Sequence, residues 1–145
     1  IKEKPQYDAP VIFTGFNISG KPVLPGDTIN GRVVLERSIS YTDQISLTHK
    51  ERFISFEFAS LDMAAAGKLR YRYMLEGFDK DWNDTGARRF GTYTNLPGGS
   101  YTLRLKGSNN DGIWNEEGAS LSLTVVPQVL QRRWFQVTAA LLLVT

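Results

Sequence analysis

Tyr71-Arg72-Tyr73-Met74-Leu75-Glu76-Gly77-Phe78-Asp79-Lys80-Asp81-Trp82, followed by Tyr93-Thr94-Asn95-Leu96-Pro97-Gly98-Gly99-Ser100-Tyr101, is the stretch whose reading decides the fold. Tyr71, Tyr73 and Leu75 alternate with Arg70, Arg72 and Met74, so one face of an extended segment can enter a core while arginines face water. Leu96-Pro97-Gly98-Gly99 supplies a tight reversal, after which Tyr101, Leu103 and Leu105 resume the alternation. The pattern is that of a sandwich wall.

The same signal recurs on both sides. Val11 to Ile18 reads as a first strand with Val11 and Phe13 on one face, and turns are expected at Ser19-Gly20-Lys21-Pro22 and Leu24-Pro25-Gly26-Asp27. Arg32 to Glu36 reads as a strand with Val33 and Leu35 opposed to Arg32, Val34 and Glu36. Ile45 and Leu47 form a short segment ahead of the polar corner Thr48-His49-Lys50-Glu51. In Phe53–Ala59, Ile54, Phe56 and Phe58 share a face opposite Ser55 and Glu57. Asp62–Gly67 suits a brief helical turn, too short to stand alone. Strands are expected around 69–75, 88–94 and 100–107, and a last one carries Leu121, Leu123 and Val125 inward.

About seven or eight short strands separated by Gly-, Pro- and Asn-rich turns predict an all-β chain built as a two-sheet sandwich. With no Cys, the immunoglobulin-like version pinned by a disulfide is excluded, leaving the fibronectin type III kind. The 145 residues suffice for one core. Lys+Arg 17 against Asp+Glu 15 gives a net charge of +2, too weak to predict nucleic acid as a partner.

At this point the chain resembles the three-Tyr domain of bacterial two-component regulators, found in membrane-spanning sensor histidine kinases, many of them hybrid kinases. The resemblance rests on Ile45–Asp62, on Tyr71–Trp82, on Tyr93–Tyr101, and on Asn109-Asn110-Asp111-Gly112-Ile113-Trp114-Asn115, in that order, and covers roughly residues 11–127. Its signature residues are Tyr71, Tyr73, Gly77, Trp82, Tyr93, Leu96, Gly98, Tyr101, Gly112 and Trp114. The resemblance implies a non-catalytic domain on the periplasmic side of the inner membrane, following a β-propeller of the same chain and preceding a membrane helix and a kinase. It also implies a homodimer in the full-length receptor. Gln128 and Val129 stand where relatives commonly place Pro and Trp.

Three segments follow: a linker over 1–10, the sandwich over 11–127, and a juxtamembrane piece over 128–145. In the last, Arg132-Arg133-Trp134-Phe135 precedes an aliphatic run that reads as the interfacial start of a membrane helix. From Trp134 the uncharged run is 12 residues, against about 20 for a full span. The opposing reading is a terminal helix or strand packed on the domain or on a second copy.

Each chemistry-bearing group has a structural alternative that the residues favour. The tyrosines could stack on sugars, but alternating strand positions assign them to core and corner packing. Trp82 and Trp114 are expected to seal an end of the sandwich, and Gly77 and Gly112 to permit positive φ or close approach. Asp79, Asp81 and Asp84 lack the spacing of a calcium loop and read as turn caps. Glycoside hydrolysis needs one acid with a raised pKa, and a hydrated loop offers no obvious means of raising it. His49 has no nucleophile beside it in sequence, and Gly98-Gly99 is not followed by a phosphate-loop Lys. No cofactor, metal or catalytic set is expected. The rival reading is a carbohydrate-binding module of a secreted enzyme, using Trp82, Trp114 or exposed tyrosines as its platform. A blander third is an inert fibronectin-like spacer.

Overall fold

The computed structural model describes residues 10–61, 69–108 and 114–127. Its strands in chain order are β1 (Val11–Ile18), β2 (Lys21–Pro22), β3 (Thr28–Ile29), β4 (Arg32–Val33), β5 (Gln44–Thr48), β6 (Phe53–Ser60), β7 (Arg70–Glu76), β8 (Asn83–Gly86), β9 (Phe90–Thr94), β10 (Gly99–Ser108) and β11 (Ala119–Val126). They form a four-stranded sheet in the order β2-β1-β6-β9 and a five-stranded sheet in the order β5-β11-β10-β7-β8, with β3 and β4 as a separate ribbon. The two larger sheets face each other across one core, the sandwich that the alternating segments predict. The expected helical turn over Asp62–Gly67 and the juxtamembrane segment over 128–145 lie outside the described residues.

The core is where two period-two patterns meet. Ile54, Phe56 and Phe58 of β6 point inward from one sheet. Tyr71 and Leu75 of β7, Leu103 and Leu105 of β10, and Leu121 and Leu123 of β11 point inward from the other. Each is at most 2 % exposed, so each contributes about 1.5–3 kcal/mol through apolar burial. Ile45 and Leu47 complete the second sheet from β5, which runs parallel to β11 with Leu123 opposite Ile45.

Two local features depart from simple alternation. The first is in β1, where the register against β6 shifts between Phe13 and Gly15. This bulge switches parity, so that Val11 and Phe13 are buried before it and Phe16 and Ile18 after it. Gly15 suits the site because a Cβ there would stand 3.1 Å from the Glu57 carboxyl.

The second corrects the expected strand over Arg32–Glu36. Only Arg32–Val33 is extended and paired, and Val33 is 44 % exposed. Val34 and Leu35 are then buried one after the other, which a pleated strand does not allow. Asn30 (φ 49°) and Gly31 (φ 87°) make the ribbon's turn. The chain afterwards dives into the core, held by the Gly26 amide on the Leu35 carbonyl at 2.8 Å.

Candidate functional site

Three of the signature tyrosines, Tyr71, Tyr93 and Tyr101, do one kind of work: each buries its ring and uses its hydroxyl to hold a strand end or a loop. Tyr71, 2 % exposed, accepts the Ser60 amide at 3.0 Å and packs its ring on Phe58 at 5.3 Å. Tyr93 donates to Asp79 Oδ2 at 2.5 Å. That same oxygen accepts the Leu75 amide and the Asn83 side chain, each at 3.0 Å, so one carboxylate ties β9 to both ends of the β7–β8 loop. Tyr101 donates to the carbonyl of Pro97, four residues back, which is the tyrosine corner of a Greek-key sandwich.

Tyr73, expected in the core beside Tyr71 and Leu75, is half-buried at its margin. A ladder of edge-on rings runs from Tyr73 to Tyr93 (5.8 Å), from Tyr93 to Phe78 (5.8 Å), and from Phe78 to Tyr101 (6.5 Å). Such a pair adds about 0.5–1.5 kcal/mol beyond its buried area. Burial pushes the Tyr73, Tyr93 and Tyr101 phenols up from their ordinary range; for Tyr93 the hydrogen bond to Asp79 and the Asp79 charge push the same way.

The glycines divide by cause. Gly77 has φ +100° and lies under Tyr101, where a Cβ would be 3.1 Å from the ring. Gly98 is not in the left-handed region; it is required because a Cβ would stand 2.6 Å from the Pro127 ring. Leu96, just before this turn, packs against the core. Gly91 is a further such position that alternation does not reveal, since a Cβ there would fall 2.5 Å from the Tyr73 ring. Gly112 lies outside the described residues.

Trp82 and Trp114 do not seal an end of the sandwich. Arg72 and Lys106 are cross-strand partners on the outward face of β7 and β10, and the two indoles flank this pair. Arg72 lies 4.2 Å from the Trp114 ring centre, and Lys106 Nζ lies 4.5 Å from that of Trp82. The cations are also paired, Arg72 with Asp84 at 3.3 Å and Lys106 with Glu116 at 3.1 Å. The row is a cation–π cover on the sheet, and each indole already has a cation on a face that a sugar would need.

The loop aspartates are occupied in the same local way. Asp81 accepts the Trp82 amide at 2.8 Å, and Asp84 accepts the Gly86 amide at 3.0 Å. The Gly86 amide, aided by Arg72, holds the Asp84 carboxyl below its ordinary range against slight burial. No three metal-ligating side chains converge among the described residues.

Glu51 is a residue whose role the sequence does not announce. In the polar corner after β5 its side chain is fully buried. It accepts the Thr48 amide at 2.8 Å, Asn30 Nδ2 at 2.7 Å and Arg32 Nη2 at 3.0 Å. Burial raises its pKa, but the Thr48 amide, the Asn30 and Thr48 side chains and Arg32 together outweigh it, and the net direction is down. Arg32 also donates to the Ser46 carbonyl at 2.6 Å, covering part of the free edge of β5.

Residues 62–126 match the Y_Y_Y domain. The chain is 31 % identical over 129 residues to histidine kinase P4 of Formosa agariphila, a match covering 88 % of this chain and 9 % of that protein. Among solved structures it is similar to the extracellular domain of a putative hybrid two-component system, BT4673, from B. thetaiotaomicron. That match has a TM-score of 0.69 and 27 % identity, over 89 % of this chain and 17 % of that one. The corresponding domain of BT3049 from the same organism gives 0.65 and 26 %, over 82 % and 15 %. The chain thus spans a small part of each relative.

Proposed function

With a Y_Y_Y domain across residues 62–126 as the premise, we propose that this chain is a non-catalytic transmitting domain on the periplasmic side of a membrane-spanning sensor histidine kinase. In this reading it couples a ligand-binding β-propeller that precedes it to a membrane helix that follows Pro127. It does so through the geometry of a homodimer, in a receptor for polysaccharide-derived ligands. The observation that supports the reading is the internal commitment of the signature aromatics among the described residues. Tyr71, Tyr93 and Tyr101 are spent on packing and hydroxyl anchoring, and Trp82 and Trp114 lie against cations. What is left is a stiff body. Packed sheets move as near-rigid units, so a displacement imposed at one end is delivered at the other.

Such a device needs two arrangements that an upstream ligand binds unequally. The chain contains no cysteine, which makes crosslinking a clean test. Single cysteines at Ser122 and at Thr92, on the outer faces of the two sheets, are placed in the full-length receptor in membranes. A panel of oligosaccharides is scored for autophosphorylation and for crosslink yield between subunits. Yield at one face or both is expected to change only with the oligosaccharides that change autophosphorylation. Identical yields for responding and non-responding oligosaccharides contradict the reading. The rival, a carbohydrate-binding module, predicts retention on polysaccharide gels that is lost on Trp82→Ala or Trp114→Ala.

A further inference from the structure

The arriving and departing segments of chain meet the same strand at opposite ends. At one end of β10, Gly107 takes the side chain of Val11, the first residue of β1; a Cβ on Gly107 would stand 2.8 Å from Val11 Cγ1. Just before the other end, Gly98 takes the ring of Pro127, the residue after β11; a Cβ there would stand 2.6–2.8 Å from three ring atoms. Neither glycine lies in the left-handed region, so backbone conformation does not demand glycine at either place. Close approach does.

Both seats are braced. The turn carrying Gly98 is fastened to β10 by the Tyr101 hydroxyl on the Pro97 carbonyl. Pro127 has a fixed φ and no amide, so it ends the β11 ladder and leaves in a set direction. At the far end, the Pro10 carbonyl accepts the Leu61 amide at 3.0 Å. Between the seats, β10 pairs with β11 from Gly99 to Leu105 and with β7 from Thr102 to Ser108, with no register shift in either ladder. No other strand touches both segments through a glycine gap among the described residues.

We propose that β10 is a strut with a glycine seat at each end, and that the Gly98 seat fixes the direction in which the chain leaves the sandwich after Pro127. A rigid seat, not a hinge, then stands between the sandwich and whatever follows it. The seats rest on geometry, and their use in signalling rests on the transmitting role proposed above.

The test uses the whole 145-residue chain with two introduced cysteines, Arg70→Cys beside the Gly107 end and Gln128→Cys just past Pro127, both carrying nitroxides. Pulsed dipolar spectroscopy reads the distance between them. The parent is expected to give one narrow peak near roughly 30 Å, the length of about ten extended residues. Gly98→Val, whose side chain takes the place of the ring, and Pro127→Gly, which removes the ring, are expected to broaden or shift it. Gly91→Ala crowds Tyr73 instead and serves as the control for general destabilisation, with the peak expected to stay narrow. If Gly98→Val does not fold, Pro127→Gly decides alone. The proposal fails if the parent peak is already broad, if neither variant changes it, or if Gly91→Ala broadens it equally. The two readings separate: crosslinks blind to every oligosaccharide would remove the signalling role and leave the narrow peak, while a broad parent peak would remove the seat and leave the crosslinks free to respond.

Discussion

At the scale of single residues, Asp79 and Tyr93 show how little of this surface is open for chemistry. Asp79 Oδ2 is shared among the Tyr93 hydroxyl, the Leu75 amide and the Asn83 side chain. Tyr93→Phe keeps the ring ladder and removes one charge-assisted donor. The expected loss is about 1.5–3 kcal/mol of unfolding free energy, read from urea midpoints at constant slope. A change below about 0.5 kcal/mol, the usual range for surface substitutions, would mean that the bond does not anchor the β7–β8 loop. The tyrosines were legible as structural because strand alternation places them inward. The partners of their hydroxyls were not, because the Ser60 amide that donates to Tyr71, and the Asp79 and Pro97 oxygens that accept from Tyr93 and Tyr101, are brought into reach only by the sandwich itself. Gly91 escaped for the same reason: nothing near it in sequence shows that Tyr73 lies above it.

At the scale of elements, the strands with clean alternation were readable directly, β6, β7, β10 and β11 above all. The failures lie where one residue alters the phase. The bulge between Phe13 and Gly15 lets β1 bury Phe16 and Ile18 as well as Val11 and Phe13. The run after Arg32 mimics alternation although Val34 and Leu35 are both buried. What fixes that second segment is the Glu51 cluster, which joins the β3–β4 ribbon to the end of β5 through partners 19 and 21 residues away.

A pH dependence follows from it. The folded pKa of Glu51 lies below its unfolded value near 4.5. Its contribution is therefore present above that value and lost as pH falls through the folded pKa. Urea midpoints of the parent should drop on acidification below about pH 4.5, in the range where an ordinary Glu takes up its proton. Glu51→Gln, less stable at neutral pH, should show a shallower drop. Parallel acid limbs in the two proteins would show that Glu51 does not carry this dependence.

At the scale of the whole molecule, the signature tyrosines, Trp82, Trp114 and the aspartates Asp79, Asp81 and Asp84 are spent on internal contacts. The aromatic ladder runs along the sandwich from Tyr73 to Tyr101, the cation–π row lies on the outward face of β7 and β10, and Val11 and Pro127 approach Gly107 and Gly98 closely at the two ends of β10. A body of this kind has mechanical uses and few chemical ones, which is why the transmitting role fits it better than a sugar platform.

The most direct test of the closed aromatic interior is a base titration of the chain carrying 13Cζ-labelled tyrosine, with folding followed in parallel by circular dichroism. Folded-state pKa values raised by burial mean that the phenols favour the native state below their unfolded pKa, and that this support is lost as pH rises beyond it. The Tyr73, Tyr93 and Tyr101 signals should hold their neutral positions past about pH 10, the ordinary range of a free phenol, and move only when the domain unfolds. Ionisation of these three near pH ~10 in a domain that remains folded would contradict the account.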